Sequence, residues 1–261
     1  MLALIPVLLG GCALDELAPQ LGEGSVLNNL FAGPQENVAE LAQDPYDPDA
    51  RYRGTVRLAN QLVEPDELVV DIFRENLDDE YASVRAAAAR GIAAHGRAAD
   101  AALLIDALYD EDPLVRRAAA MGLQRMHDPD AVPRLIELID PEIEPEETIR
   151  VEAALALGQY PQSEVVLALI ESLRSDLEQS LTVHRSAAGS LATLTGQDYG
   201  LDFERWQRWS DSESDWFAGQ EEYIYPVFSR SRAWYEYIVP VLPPPPNETP
   251  STPIGLSRAP R

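Results

Sequence analysis

The sequence predicts an all-α fold, an α-α superhelix in which pairs of helices stack one after another. A motif of one apolar residue followed by Arg and small residues recurs, with copies beginning at Val84, Val115, Ile149 and Val183. Repeats of 31 to 34 residues are typical of stacked units that bury their apolar faces against one another. Within each copy the apolar residues follow helical spacing, and a hydrophobic content of 46% is enough for a sizeable core.

Residues 1–11 are predicted to be a lipoprotein signal peptide. Residues 2–9 are an apolar run too short to cross a bilayer, and small residues close the run, as in secretory signals. Leu9-Gly10-Gly11-Cys12 resembles a bacterial lipobox. The resemblance implies that Cys12, the only cysteine, receives a diacylglyceryl group and becomes the lipidated N-terminus.

The lipobox resemblance also implies a location. We expect the protein in the bacterial cell envelope, lipid-anchored on the periplasmic side. Ala13 follows the cysteine where an Asp would be a retention signal, which favours the outer membrane over the inner one. No Lys or Arg precedes the apolar run, unlike the usual signal peptide, so an incidental N-terminal cysteine stays open as an alternative.

Residues 12–49 are predicted to be a tether with a short helix near residues 36–43. The tether ends in Asp44-Pro45-Tyr46-Asp47-Pro48-Asp49. These acids lack the Gly and the distal Glu of an EF-hand loop. We therefore expect Asp47 or Asp49 to cap a helix instead of binding calcium.

Residues 50–196 are predicted to be the solenoid. Val84, Ala87, Ala88, Gly91 and Ile92 form one stripe of a helix, and later copies repeat these offsets. We expect Asp79, Asp112 and Glu147 to cap the first helices, and Pro113 and Pro133 to occupy first turns.

The Val-Arg-x-x-Ala-Ala first helices resemble HEAT repeats of the subtype shared with phycobilisome lyases. With the lipobox and the closing stretch of residues 194–200, the chain resembles bacterial HEAT-repeat lipoproteins of uncharacterised function. The resemblance implies that each motif arginine pairs with an acid between repeats. The arginines so assigned are Arg53, Arg85, Arg116 and Arg150.

Two C-terminal regions complete the chain. Residues 197–239 hold all four tryptophans and are predicted to be an aromatic-rich, loop-rich cap containing one helix from Phe203 to Trp209. Residues 240–261 begin with a run of four prolines at 243–246 and are predicted to be a flexible or extended tail.

Charge and composition exclude several functions. The formal net charge is −24, and all twenty basic residues are Arg. Nucleic acid and anionic lipid surfaces are therefore not expected partners. Mechanisms that need a catalytic or phosphate-binding lysine are also excluded.

No catalytic constellation or cofactor site is predicted, and we expect a protein that is not an enzyme. His95 and His127 fall at equivalent places near the ends of successive first helices, where a metal could bind with Asp128. A histidine at the C-terminal end of a helix is also favourable to the helix dipole, which is negative there, and this explains both residues without a metal. An enzyme on the same scaffold, lyase-like or metal-dependent, and a structural envelope spacer stay open as alternatives.

The expected function is a protein-binding or assembly scaffold whose second helices line a concave surface. Its acidic balance favours a basic protein segment as the guest, with a solvated polar face as the alternative. The aromatic segment is the rival site, because Trp and Tyr anchor interfaces. The candidate contact residues are Glu67, Asp71, Arg74, Asp106, Tyr109, Arg134, Glu137, Glu164 and Glu171.

Overall fold

The structure is a computed structural model that describes residues 37–60, 67–174, 177–225 and 251–256, with the backbone alone at residues 177–179. All of them except Asn37 belong to one compact unit. The predicted signal peptide, Cys12 and most of the tether and the tail lie outside these residues. Among the described helices, none is both long enough and apolar enough to cross a membrane.

Eleven α-helices form within the described residues, which confirms the all-α prediction. In chain order they are α1 Val38–Ala42, α2 Pro48–Ala59, α3 Glu67–Asn76, α4 Ala82–His95, α5 Ala101–Ala107, α6 Pro113–Leu123, α7 Val132–Leu138, α8 Glu147–Leu157, α9 Ser163–Ser172, α10 Leu177–Thr195 and α11 Phe203–Ser212. The even-numbered helices are the first helices of successive pairs, and each packs on the next even-numbered one. The odd-numbered helices from α3 to α11 are the second helices.

Short polar residues start several helices as predicted. The Asp47 carboxylate accepts the backbone N–H groups of Asp49 and Ala50 at the start of α2. Asp112 caps α6, and Pro113 opens its first turn. Two capping predictions are wrong in register, by one or two residues. The cap of α4 is Tyr81 and the cap of α8 is Glu146, because Asp79 is engaged by an arginine and Glu147 already lies inside its helix.

Small residues let the helices of neighbouring pairs approach closely. Val84, Ala87, Ala88 and Ile92 of α4 have no exposed surface. At Gly91 a Cβ atom would lie 2.5 Å from ring carbons of Phe73 in α3. The glycine is therefore required by the aromatic ring that packs against it.

Aromatic side chains close the C-terminal end of the array. Trp206 in α11 is fully buried, and its indole N–H donates to the Gly200 carbonyl at 2.9 Å. Its ring meets Tyr199 and Trp209 edge-on, with centroids 4.9 and 5.8 Å away. This half of the aromatic segment packs against the core of the array.

The chain then returns along the C-terminal ends of the first helices. The N–H of Glu221 donates to the Thr193 carbonyl at the end of α10, and the hydroxyl of Tyr223 donates to the Leu155 carbonyl in α8. Further along, Ile254 exchanges two backbone hydrogen bonds with Arg125 and His127 beyond α6. Residues 251–256 are thus held on the third pair of helices, which differs from a tail that extends freely.

Candidate functional site

Adjacent repeats are joined by buried arginine–carboxylate pairs. In each pair, Nε and Nη2 of an arginine on a first helix donate to both oxygens of an acid that lies 25 or 28 residues later. The pairs are Arg51–Asp79, Arg85–Asp110 and Arg116–Glu144. Two-point hydrogen bonds between ions fix geometry as well as adding energy, so the pairs set the spacing between repeats.

The same arginines also tie down the turn that precedes their own helix. Nη1 of Arg85 donates to the Asp79 carbonyl at 2.9 Å, and Nη1 of Arg116 donates to the Asp110 carbonyl at 2.9 Å. An acid such as Asp110 therefore binds one arginine through its carboxylate and the next arginine through its carbonyl. The inter-repeat role predicted for Arg85 and Arg116 is seen directly.

The prediction for Arg53 is wrong. Arg53 is exposed, and Arg51 makes the first ion pair. Ala50-Arg51 lies 34 residues before Val84-Arg85, so Arg51 keeps the period and Arg53 falls two residues, or about half a helical turn, away from it. The period was a signal that could have identified Arg51 in the sequence.

Arg150 keeps only half of the pattern among the described residues. Its Nη1 donates to the carbonyls of Glu144 and Pro145 at 2.7 and 2.8 Å. No carboxylate in the described part of the chain pairs with its Nε and Nη2. Arg150 instead lines a cavity of about 500 Å³ between α7, α9 and α10.

All nine candidate contact residues lie on the second helices or at their ends. Glu67, Asp71 and Arg74 are on α3, Asp106 and Tyr109 are on or just after α5, Arg134 and Glu137 are on α7, and Glu164 and Glu171 are on α9. The structure gathers them into separate groups, each belonging to one or two repeats.

The group on α3 is centred on Arg74. Its Nη1 donates to Glu67 at 3.0 Å and to Asp71 at 2.5 Å. Its Nε and Nη2 donate to the two carboxylate oxygens of Asp100. Arg97 adds a second contact to Glu67. Burial acts to raise the pKa of Asp100, but hydrogen bonds from Arg74 and from the Arg97 backbone N–H hold it below its ordinary value. Most of the charge in this group is therefore neutralised within the protein.

The next group joins two repeats through an aromatic ring. The Arg134 guanidinium lies 4.4 Å from the ring centroid of Tyr109, and its nitrogens donate to Glu137 and to the Leu108 carbonyl. Tyr109 is still 61% exposed. An arginine stacked on an exposed aromatic ring gives the surface an ordered, flat patch on which a partner can pack.

Two of the acids on this surface form no ion pair with a described residue. A third acid, Glu171, does pair with Arg174 at 2.8 Å. In contrast, Asp106 and Glu164 are exposed, and no described residue forms an ion pair with either. These two carboxylates are the parts of the predicted surface that are free to meet a cationic partner.

The two histidines considered for a metal have other hydrogen bonds. The Nε2 atom of His95 lies 2.9 Å from the Ala59 carbonyl, and the Nδ1 atom of His127 lies 3.1 Å from the Gln159 side-chain oxygen. His127 also stacks on Tyr160. Across the residues that the structure describes, no three His, Cys, Asp or Glu side chains are grouped so that they could hold a metal ion.

Family models match two successive stretches of this array. Residues 70–145 match HEAT repeats, and residues 149–175 match the PBS lyase HEAT-like repeat. HEAT repeats are therefore found in these two stretches. The matched HEAT residues run from α3 to α9, so the candidate surface lies almost wholly within them. No curated protein matches the chain.

Proposed function

We propose that the protein is a scaffold of the bacterial cell envelope that is anchored by lipid on Cys12 and binds another protein without catalysing a reaction. The HEAT repeats carry the proposal, because solenoids of this kind use extended surfaces for binding. The anchor and the envelope location are supported by the lipobox-like Leu9-Gly10-Gly11-Cys12, which lies outside the described residues.

The binding surface is proposed to be the face of the second helices. Six of its nine candidate residues are acids and two are arginines, a formal charge of −4. Asp106 and Glu164 have no ion-pair partner in the described structure, and Tyr109 offers an exposed ring just after α5. These features suit a protein segment that carries Arg or Lys beside an apolar residue.

Chemical crosslinking in intact envelopes, followed by affinity capture of the full chain, tests the partner surface. We expect one recurrent crosslinked protein with wild type and much lower recovery with Asp106→Arg/Glu164→Arg. Charge reversal at Glu137 and Glu171 is expected to weaken capture less, because each acid is already paired with Arg134 or Arg174 and contributes less charge to a partner.

Asp211→Arg is the control for each single reversal, since it makes the same charge change at an exposed position of α11, a helix that carries none of the nine candidate residues. Trp234→Ala, in the aromatic segment and outside the described residues, is expected to leave recovery unchanged. Equal recovery with every charge variant, or loss with Trp234→Ala alone, would contradict the proposed surface.

The anchor has its own test. Cells grown with labelled palmitate are expected to label the wild-type protein, and Cys12→Ser is expected to abolish the label. Ala13→Asp is expected to move the protein from the outer to the inner membrane in density fractionation. Full labelling of Cys12→Ser would remove the anchor from the proposal while leaving the scaffold role intact.

A further inference from the structure

We propose that the cavity beside Arg150 binds a small amphiphilic carboxylate, an anionic head on an apolar chain. The cavity lies between the third, fourth and fifth repeats and is lined by residues of α7, α8, α9 and α10. This inference does not rest on the scaffold function, because it concerns an internal cavity and not the exposed face of the second helices.

The arginine is already oriented for a carboxylate. In the three earlier pairs, the Nε–Nη2 edge of the arginine holds two carboxylate oxygens. Nη1 of Arg150 makes the same backbone hydrogen bonds as those arginines, but no described residue accepts from its other edge. Arg150 is only 7% exposed and lines the cavity, so a buried guanidinium without a described carboxylate partner is available to an anion there.

A second polar group faces the same space. Ser180 lines the cavity, is 6% exposed and sits at a kink in α10 where φ is −145° and ψ is 28°. No described residue bonds its hydroxyl. This hydroxyl can donate a hydrogen bond to an anion held by Arg150.

The rest of the wall fits an apolar chain. Ile136, Ile139, Ala168 and Val183 line the cavity, and its volume of about 500 Å³ lies within the range of small-molecule sites. The two acids at its edge are engaged elsewhere. Asp140 accepts the backbone N–H of Glu142, and Glu171 accepts from Arg174. Arg150 is therefore the cation of the cavity that lacks a described counter-ion.

Titration calorimetry with octanoate, using the full chain carrying Cys12→Ser to avoid bound lipid, tests the proposal. We expect saturable one-site binding, and binding of 1-octanol that is weaker by about tenfold or more, because the alcohol cannot form the charged two-point pair. Equal affinity for both molecules, or no saturable octanoate binding, would overturn the proposal.

Cavity-filling variants keep the test independent of Arg150. Ala168→Phe fills the cavity from α9 and is expected to abolish octanoate binding. Leu167→Phe adds a ring to the same helix at an exposed position and should bind as wild type does. Arg150→Lys keeps the charge but loses the planar pair of N–H donors, so octanoate binding should weaken by about tenfold. Circular dichroism shows whether the Ala168→Phe variant is folded. If the folded variant binds octanoate with unchanged affinity, this cavity is excluded as the binding site.

A carboxylate from the chain itself is the competing occupant. Glu178 follows Arg150 by 28 residues, the separation found in the Arg51–Asp79 and Arg116–Glu144 pairs, and its side chain lies outside the described residues. We expect Glu178→Gln to bind octanoate with unchanged affinity. Binding that appears only in Glu178→Gln would show that Glu178 occupies this edge in the wild-type protein, and would overturn the proposal.

Discussion

The guanidinium of Arg116 binds both carboxylate oxygens of Glu144, at 2.7 Å from Nε and 3.1 Å from Nη2, across the boundary between two repeats. The Glu144 side chain is 2% exposed and the Arg116 side chain 14%. The hydrogen bond to Glu144 is the main cause that raises the pKa of Arg116. Burial acts in the opposite direction, and the charges of Glu144, Asp110 and Asp112 raise the pKa further. The pair is a structural link, since the partners of both side chains lie within the protein.

Removing one member of this pair is expected to destabilise the array strongly. Glu144→Gln leaves a buried guanidinium without its counter-ion, and we expect a loss of about 3 kcal/mol or more in the free energy of unfolding. Urea unfolding followed by circular dichroism measures it. Glu171→Gln breaks the exposed pair with Arg174 and should cost less than about 1 kcal/mol. Similar losses for the two variants would show that burial does not strengthen the inter-repeat link.

Stability is expected to fall in acid through Asp110. Burial acts to raise the pKa of Asp110, but hydrogen bonds from Arg85 and from the Asp112 backbone N–H, with the charges of Arg85 and Arg116, hold it below its ordinary value. A carboxylate with a lowered pKa stabilises the folded state above the unfolded-state pKa, about 3.9 for Asp, and loses that contribution as pH falls through the folded-state pKa.

Asp110→Asn should therefore be less stable than wild type at neutral pH. The difference in the free energy of unfolding should shrink at pH values below the pKa of an ordinary aspartate. Denaturant unfolding over a series of acidic and neutral buffers measures the difference. Asp106→Asn, at an exposed carboxylate without a described ion-pair partner, is the control and should track wild type at every pH. A difference for Asp110→Asn that stays constant with pH would contradict the assignment.

Two glycines should respond in opposite directions to alanine. Gly91→Ala pushes a methyl group against Phe73 and is expected to lower the free energy of unfolding by about 1–3 kcal/mol. Gly189 in α10 has open space around its Cβ position, so Gly189→Ala should raise it by about 0.5–1 kcal/mol through lower backbone entropy in the unfolded chain. Thermal unfolding of the two variants side by side measures both. Equal effects would mean that close packing at Gly91 does not limit the side chain.

The docked C-terminal segment predicts a specific protection pattern. The His127 N–H donates to the Ile254 carbonyl at 2.8 Å, and the Ile254 N–H donates to the Arg125 carbonyl at 2.7 Å. Ile254→Pro removes the second donor and is expected to speed hydrogen exchange at the His127 amide. Ile254→Val retains both hydrogen bonds and should exchange as wild type does. Unchanged exchange in the proline variant would contradict the docking.

Local patterns in the sequence were sufficient to predict the helices. Apolar stripes with a 3.6-residue period define which face of each helix is buried, and a fixed repeat length requires similar units to stack. Asp47, Asp112 and Pro113 act within a few residues of their own position, so their roles could be predicted without a three-dimensional structure. Asp79 and Glu147 could not be assigned in this way, because capping depends on the residue at which the helix begins.

The candidate surface was predictable in position but not in charge state. The sequence placed the nine contact residues on second helices, as helical spacing requires. It could not show that Arg74 forms ion pairs with Glu67, Asp71 and Asp100, since Asp100 lies 26 residues away in the next repeat. As a result, the sequence overstated how much of the acidic charge is free for a partner.

The sequence by itself determined the fold class and the stacking of successive helical pairs, because these depend on the period and amphipathic character of the helices. Tertiary structure alone decided that Ile254 returns to the third repeat and that Arg150, which has no described counter-ion, lines a cavity. Each of these depends on contacts between residues that are distant in the chain, and the distances between such residues are set only when the repeats pack together.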